Sequence, residues 1–307
     1  MSVSVTATDE SPDAQTARGR PSIVRRLSRR PTTLLIWLPL LLLAVCFAYP
    51  LLQMFRLSFT DFVGSTSGVF GNYLWFLGTD TQMTILRRTF AVAGWVTLMC
   101  LILGFPYAYL MTIVGPRMRL LMVGVVLLPF WSNLVVRTFA WVILLRDSGP
   151  VQSLLHAIGI DDLRLLGNTV GVTIGATQVL LPFLILPLYA ALSGIDRSLL
   201  TAAHSLGARP AVAFVKVYLP LAVPGILAGT SIVFILTLGF YFTPALLGSP
   251  RNSLVAQQIV TQVSELLAFG RGSAIAFVVL IITFVVLGLV GLVTRRYRRS
   301  FETGLDL

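Results

Sequence analysis

Residues 201–220 read TAAHSLGARPAVAFVKVYLP, a polar helix-turn-helix signal set between two long apolar runs. Leu199, Leu200, Ala203 and Leu206 fall at i, i+1, i+4 and i+7, the spacing of one helical stripe, while Ser198, Thr201 and Ser205 lie off it. Gly207 follows, a residue able to take the left-handed conformation that ends a helix, and Pro210 suits the first turn of a new one. Leu219 and Pro220 then lead into the next apolar run. A short polar hairpin between two such runs reads as a docking surface in water.

Working outward, the surroundings are membrane. The chain of 307 residues is 56% hydrophobic and 11% charged, against about 25% charged in soluble domains. Crossing about 30 Å of hydrocarbon takes roughly 20 helical residues, and six windows qualify: 34–55, 89–114, 120–145, 170–192, 221–247 and 274–293. None holds an acidic residue. Their length and lack of strict alternation favour helices over barrel strands, so the expected fold is an all-α integral membrane protein with six transmembrane helices.

Arginine sets the expected orientation. Arg18, Arg20, Arg25, Arg26, Arg29 and Arg30 precede the first span, and Arg295, Arg296, Arg298 and Arg299 follow the last. With six spans both tails share one side, which the positive-inside rule makes the cytoplasm. Arg117, Arg119, Arg197, Arg209 and Lys216 fall on that side too, whereas Gly64 and Gly159 fall outside. The net charge of +11 is therefore a topological bias; no basic stretch interleaved with stacking aromatics points to nucleic acid. Three regions follow: a disordered basic tail over 1–31, a transmembrane domain over 32–297 and a cytoplasmic tail over 298–307. A cleaved signal peptide is the alternative at the N-terminus, but the apolar run is span-length and no A-x-A site follows it.

Catalytic chemistry finds no foothold. Cys46 and Cys100 lie in different spans, and His156 and His204 have no cysteine or carboxylate cluster beside them, so neither a disulfide nor a metal site is expected. No G-x-S-x-G elbow and no phosphate-binding G-x-x-x-x-G-K-[ST] loop occurs. No Asp, Glu, His or Lys lies inside a span, which argues against a proton-driven transporter. Energy for transport would have to come from another subunit. A channel or a membrane scaffold is the rival reading, and neither needs a docking hairpin.

The spans themselves carry polar detail. Pro129-Phe130-Trp131-Ser132-Asn133 followed by Arg137 predicts a kinked third span with polar groups beside the kink. Arg137 either lines a solute path, or pairs with a carbonyl or reaches the outer headgroups. Trp131, Asn133, Arg137, Trp141, Phe240 and Tyr241 form the candidate translocation path; the aromatic faces could take ammonium groups, or simply pack. Gly171 with Gly175, and Gly225 with Gly229, have the small-xxx-small spacing of close helix packing. Residues 151–157 predict a short interfacial helix in an outer loop.

The pattern Ala202-Ala203, Gly207 and Val217-x-Leu219-Pro220 resembles the EAA loop of binding-protein-dependent ABC transporter permeases, with Thr201 where that family usually carries an acid. The run from Leu127 to Asn133 with Val136-Arg137 resembles the third span of permeases of the spermidine/putrescine type. Phe70-x-Asn72-Tyr73, Leu181-Pro182-Phe183 and Pro187-Leu188-Tyr189 resemble that family in the same order. The resemblance implies a type I ABC importer permease in a bacterial or archaeal cytoplasmic membrane, moving a small solute such as a polyamine without altering it. It implies an ATPase-coupling loop at Thr201, Ala202, Ala203, Leu206, Gly207, Leu219 and Pro220. Its implied partners are two copies of an ATP-binding subunit holding ATP and Mg, a second permease chain, an extracytoplasmic solute-binding protein and membrane lipid. This chain itself would carry no cofactor.

Overall fold

The computed structural model describes residues 30–62, 68–160 and 164–303, with side chains from Trp37 to Leu292 inside those ranges. The expected tail over 1–31 and the external position Gly64 thus fall almost wholly outside the described residues. All regular structure among the described residues is helical. Five helices are long and apolar enough to cross a membrane: Trp37–Thr60, Asp80–Ile113, Thr169–Ser193, Pro210–Leu238 and Phe269–Leu292. A sixth crossing exists if Pro116–Trp131 and Leu134–Ala157, bent by 94°, form one span.

Helix α1 (Arg30–Thr60) carries Pro39 and Pro50. Residues up to Leu52 form one compact unit and those from Gln53 onward another. From Trp37 to Val45 the first unit's helix is exposed along its length, an apolar surface suited to lipid or to other helices.

The second unit is built around three long helices, α3 (Asp80–Ile113), α7 (Thr169–Ser193) and α10 (Leu219–Leu238), which pack on one another more extensively than any other elements. Val96 and Cys100 of α3, Leu184 and Leu188 of α7 and Ala222 and Val233 of α10 are all buried in one cluster. Lipid tails are as apolar as leucine, so close contact rather than water exclusion holds such helices together. Glycine provides that contact: a methyl group on Gly104 would stand 2.6 Å from Leu184 Cδ2, and one on Gly225 would collide with Ala191 Cβ. Gly229 faces the Leu184 carbonyl, and Gly175 faces Leu247 and Thr243. The small-residue spacing therefore marks helix packing at Gly175, Gly225 and Gly229, whereas Gly171 lies against the Leu165 carbonyl in the segment leading into α7.

Within this unit, α2 (Gly71–Gly78) packs on α13 (Phe269–Thr303) and bonds to the end of α1. Asn72 is fully buried and donates to the carbonyls of Ser58 (3.0 Å) and Asp61 (2.8 Å), while Tyr73 Oη and Ser58 Oγ share a bond of 2.9 Å. Asp61 Oδ2 in turn accepts from the Gly270 amide at 2.8 Å. The Phe70-x-Asn72-Tyr73 motif thus ties one helix terminus to another by satisfying carbonyls that a helix end leaves open.

Two spans differ most from their sequence windows. The fifth runs as continuous helix from Pro210 and stops at Leu238, with a separate α11 (Phe242–Leu247) beyond Gly239. The third is broken rather than kinked, between α4 (Pro116–Trp131) and α5 (Leu134–Leu145). The predicted outer-loop helix exists as α6 (Pro150–Ala157), and α13 remains helical to Thr303, inside the stretch assigned to a tail.

Candidate functional site

The hairpin of residues 196–213 is assembled from local signals. Asp196 accepts from the Ser198 amide (2.8 Å) and hydroxyl (2.7 Å), which starts α8 (Ser198–Ser205) and holds that carboxyl below the usual carboxylate range. At the other end Gly207 has φ +83°. Its amide bonds to the His204 carbonyl at 2.9 Å, and the Ala208 amide to Ala203 at 3.0 Å, the paired closing bonds of a Schellman turn. Pro210 then opens α9 (Pro210–Ala213) at its first position. The Arg197 guanidinium donates to the Thr112 carbonyl, pinning the hairpin's base to the end of α3.

No residue of α8 is buried. The expected apolar stripe divides in two: Leu200 and Ala203 are half-buried, with Leu200 packed on the core, whereas Leu199 and Leu206 point to solvent, Leu206 at 88% exposure. Thr201 and Ala202 share the exposed side. Ala203 therefore serves the chain's own packing more than an outward surface. The outward face presents leucine, alanine and hydroxyl groups with no buried charge to desolvate.

Leu219 and Pro220 sit inside a continuous helix rather than at its start. Proline lacks an N–H and crowds the carbonyl four residues back, here that of Lys216. The backbone answers with a π-helical turn at Phe214–Tyr218, closed by the Leu219 amide on the Phe214 carbonyl. This turn carries an aromatic cluster. Phe214 and Tyr218 stack at 5.4 Å, and Tyr109 of α3 meets both edge-on at 5.4 and 5.2 Å. Phe105, one helical turn from Tyr109, reaches Phe214 at 6.3 Å. Sequence reasoning missed this contact, although two aromatic pairs at i and i+4, Phe105/Tyr109 and Phe214/Tyr218, are its signature.

The candidate path residues do not form one group. Trp131, Asn133 and Arg137 cluster at the break in the third span. Trp131 is 92% exposed, Asn133 accepts from the Val135 amide at 2.8 Å as cap of α5, and Arg137 is half-buried. Trp141 lies further along α5 and donates to Gln178 Oε1 at 3.3 Å. Phe240, half-buried against the core, and Tyr241, partly exposed, occupy the α10–α11 connection. Thr138 and Thr243 hydroxyls, 3.5 Å apart, join α5 to α11. Of the six, only Trp141 lines the groove of about 720 Å³ between α3, α5 and α7, which Trp95 and Gln178 also border. Among the described residues no group of three or more His, Cys, Asp or Glu is placed to hold a metal.

Residues 114–299, from the end of α3 through the hairpin and almost to the C-terminus, match the family of the binding-protein-dependent transport system inner membrane component. The chain belongs to that family. It is 35% identical over 200 residues to the spermidine/putrescine transport system permease protein PotB of Haemophilus influenzae, covering 64% of this chain and 70% of that one. Identity to its Escherichia coli namesake is 31% over 225 residues, covering 73% and 80%. A bacterial alginate ABC transporter, solved with a pentasaccharide-bound periplasmic protein, contains a chain that superposes with a TM-score of 0.72 at 18% identity, over 90% of this chain and 98% of that one. The fold is that of an ABC importer permease, and the chain is a multi-pass, non-catalytic permease half of such an importer.

Proposed function

We propose that this permease half couples ATP hydrolysis to import through the α8–α9 hairpin, and that its solute is a polyamine of the spermidine or putrescine class. The observation that carries the coupling role is the exposed face of α8, with Leu199, Thr201, Ala202 and Leu206, on a hairpin tied to both α3 and α10. A neutral, partly apolar helix with a rigid glycine-turned end fits a cleft in a partner. Two ATP-binding subunits, each holding ATP and Mg, would close and push on Thr201, Ala202 and Leu206. The π-helical turn would pass the displacement to α10 through Leu219 and Pro220, while the aromatic cluster carries α3 along. A second permease chain completes the path, and an extracytoplasmic solute-binding protein delivers the cargo.

The polyamine reading rests on the likeness to the PotB proteins and on the aromatic faces of Trp131, Trp141 and Tyr241. Indole faces attract ammonium groups by about 0.5 to 2 kcal/mol, without the tight hold a carboxylate would impose. Reconstitution of this chain with its partner subunits in proteoliposomes tests the reading. Uptake of labelled spermidine or putrescine should require the solute-binding protein and ATP, and the solute-loaded binding protein should stimulate hydrolysis. Stimulated hydrolysis with no polyamine uptake would reject the substrate; absence of any bound ATPase would reject the coupling role.

A further inference from the structure

We infer that Arg137 is a positioning residue that sets the angle of the break in the third span by clasping the carbonyl of Pro129. This inference rests on the permease reading above and reassigns one of its candidate path residues.

The break opens the end of α4. Asn133 caps α5 in an extended conformation (φ −62°, ψ 134°) instead of continuing α4, so the amide that would ordinarily bond to Pro129 is not in place. Three other donors converge on that oxygen: the Ser132 amide at 3.3 Å, the Ser132 hydroxyl at 2.8 Å and Arg137 Nη1 at 2.6 Å. A carbonyl at a helix end carries partial negative charge, and a charged donor bonds to it more strongly than a neutral one does. The guanidinium uses one prong for this. Its Nε is buried without an acceptor among the described residues, and none of the six apolar windows of the sequence holds a carboxylate. A guanidinium built to recognise a carboxylate would present its fork; this one spends a single N–H on the backbone across the break.

Both sides of the break touch α7, and the far side is tied to α11 as well. Phe130 meets Phe183 of α7 edge-on at 5.3 Å, fixing the end of α4. Beyond the break, Thr138 faces Thr243 of α11 at 3.5 Å, and Trp141 bonds to Gln178 of α7. Helix α11 follows directly from α10, the span that continues the coupling hairpin. Movement of α10 therefore reaches α5 through α11, and the clasp is where α5 meets α4. Arg137 holds the third span in one bent geometry in each access state, without touching the solute.

The test uses the assembled importer in proteoliposomes, with Cys46 and Cys100 replaced by alanine and spin labels at Leu121 and Ile143, both exposed and on opposite sides of the break. Arg137→Met keeps the stem and removes the donor; Arg137→Lys keeps one donor able to reach one carbonyl. The clasp predicts a narrow α4–α5 distance distribution in wild type, a broadened one in Arg137→Met with uptake down about tenfold, the worth of one charge-assisted bond, and wild-type width with near-normal uptake in Arg137→Lys. Unchanged width in the methionine variant, or a lysine variant as defective as methionine, overturns the clasp. Where the methionine variant fails to assemble, the lysine variant alone decides. Polyamine-stimulated hydrolysis in the wild-type complex is read separately, so a failure of the transport reading leaves the distance measurement standing.

Discussion

Gly207 shows what a single residue does in this chain. Its φ of +83° puts any side chain into the left-handed region at a cost of about 1 to 2 kcal/mol, although nothing crowds the position. Gly207→Val should therefore deform the turn that aims α8, while Leu206→Asp should leave the fold intact, since that side chain touches almost nothing of its own chain. Both variants should insert normally yet retain far less ATPase on purification, with Thr201→Ala near wild type because it loses only a 3.4 Å bond to the Arg197 carbonyl. Full ATPase retention in Gly207→Val and Leu206→Asp would remove the coupling role from the hairpin. Gly207 was legible in the sequence because a glycine after an apolar stripe has one conformational use. Asn72 was not: its task is to bond two carbonyls, of Ser58 and Asp61, at the end of another helix, and no local pattern announces which distant carbonyl a buried amide will find.

At the scale of elements, six apolar windows were legible because about twenty apolar residues without a carboxylate have few other fates. The break in the third span was legible only in part. Pro129 drew attention to a kink, but the structure breaks three residues later, where Ser132 terminates α4 and Asn133 caps α5; asparagine ahead of an apolar helical run is the N-cap signal that locates it. The π-helical turn at Phe214–Tyr218 was hidden for a different reason. Proline at position 220 was visible, yet whether a helix accommodates it by ending or by widening depends on what neighbouring helices can hold in place. Here Tyr109 and Phe105 hold it. Each aromatic pair contributes about 0.5 to 1.5 kcal/mol beyond its buried area, and Phe214 takes part in three. Phe214→Ala should keep the ATPase bound but loosen its grip on α3, so that ATP is hydrolysed with several-fold less solute imported per ATP. Tyr109→Ala should do the same, and the double variant should be little worse than either, because both remove one shared cluster. Equal solute-to-ATP ratios in wild type and both single variants would show that the cluster only packs.

For the whole molecule, the question is whether the bent pair α4 and α5 crosses the membrane or turns back within it, because the answer decides on which side the hairpin lies. If the pair crosses, the chain makes six passes, both termini share a side, and the arginines that cluster near the start of α1 and in the last turns of α13 lie with Arg117, Arg119, Arg197 and Arg209 in the cytoplasm. If the pair turns back, only five helices cross, and the hairpin after α7 moves to the face opposite Arg117 and Arg119. An ATPase could not then reach it. Charge favours crossing, since turning back would place Arg197, Arg209 and Lys216 outside. So does length: the 16 residues of α4 climb about 24 Å at 1.5 Å each, most of a hydrocarbon core, and leave α5 little further to travel. Cysteines placed at Leu206 on the hairpin and at Ile158 beyond α6, both exposed, in a chain with Cys46 and Cys100 replaced, separate the two arrangements. An impermeant thiol reagent added to intact cells should label position 158 and leave position 206 unlabelled until the membrane is opened. Labelling at 206 in intact cells would make the bent pair re-entrant and take the coupling role away from α8, whatever solute the complex carries.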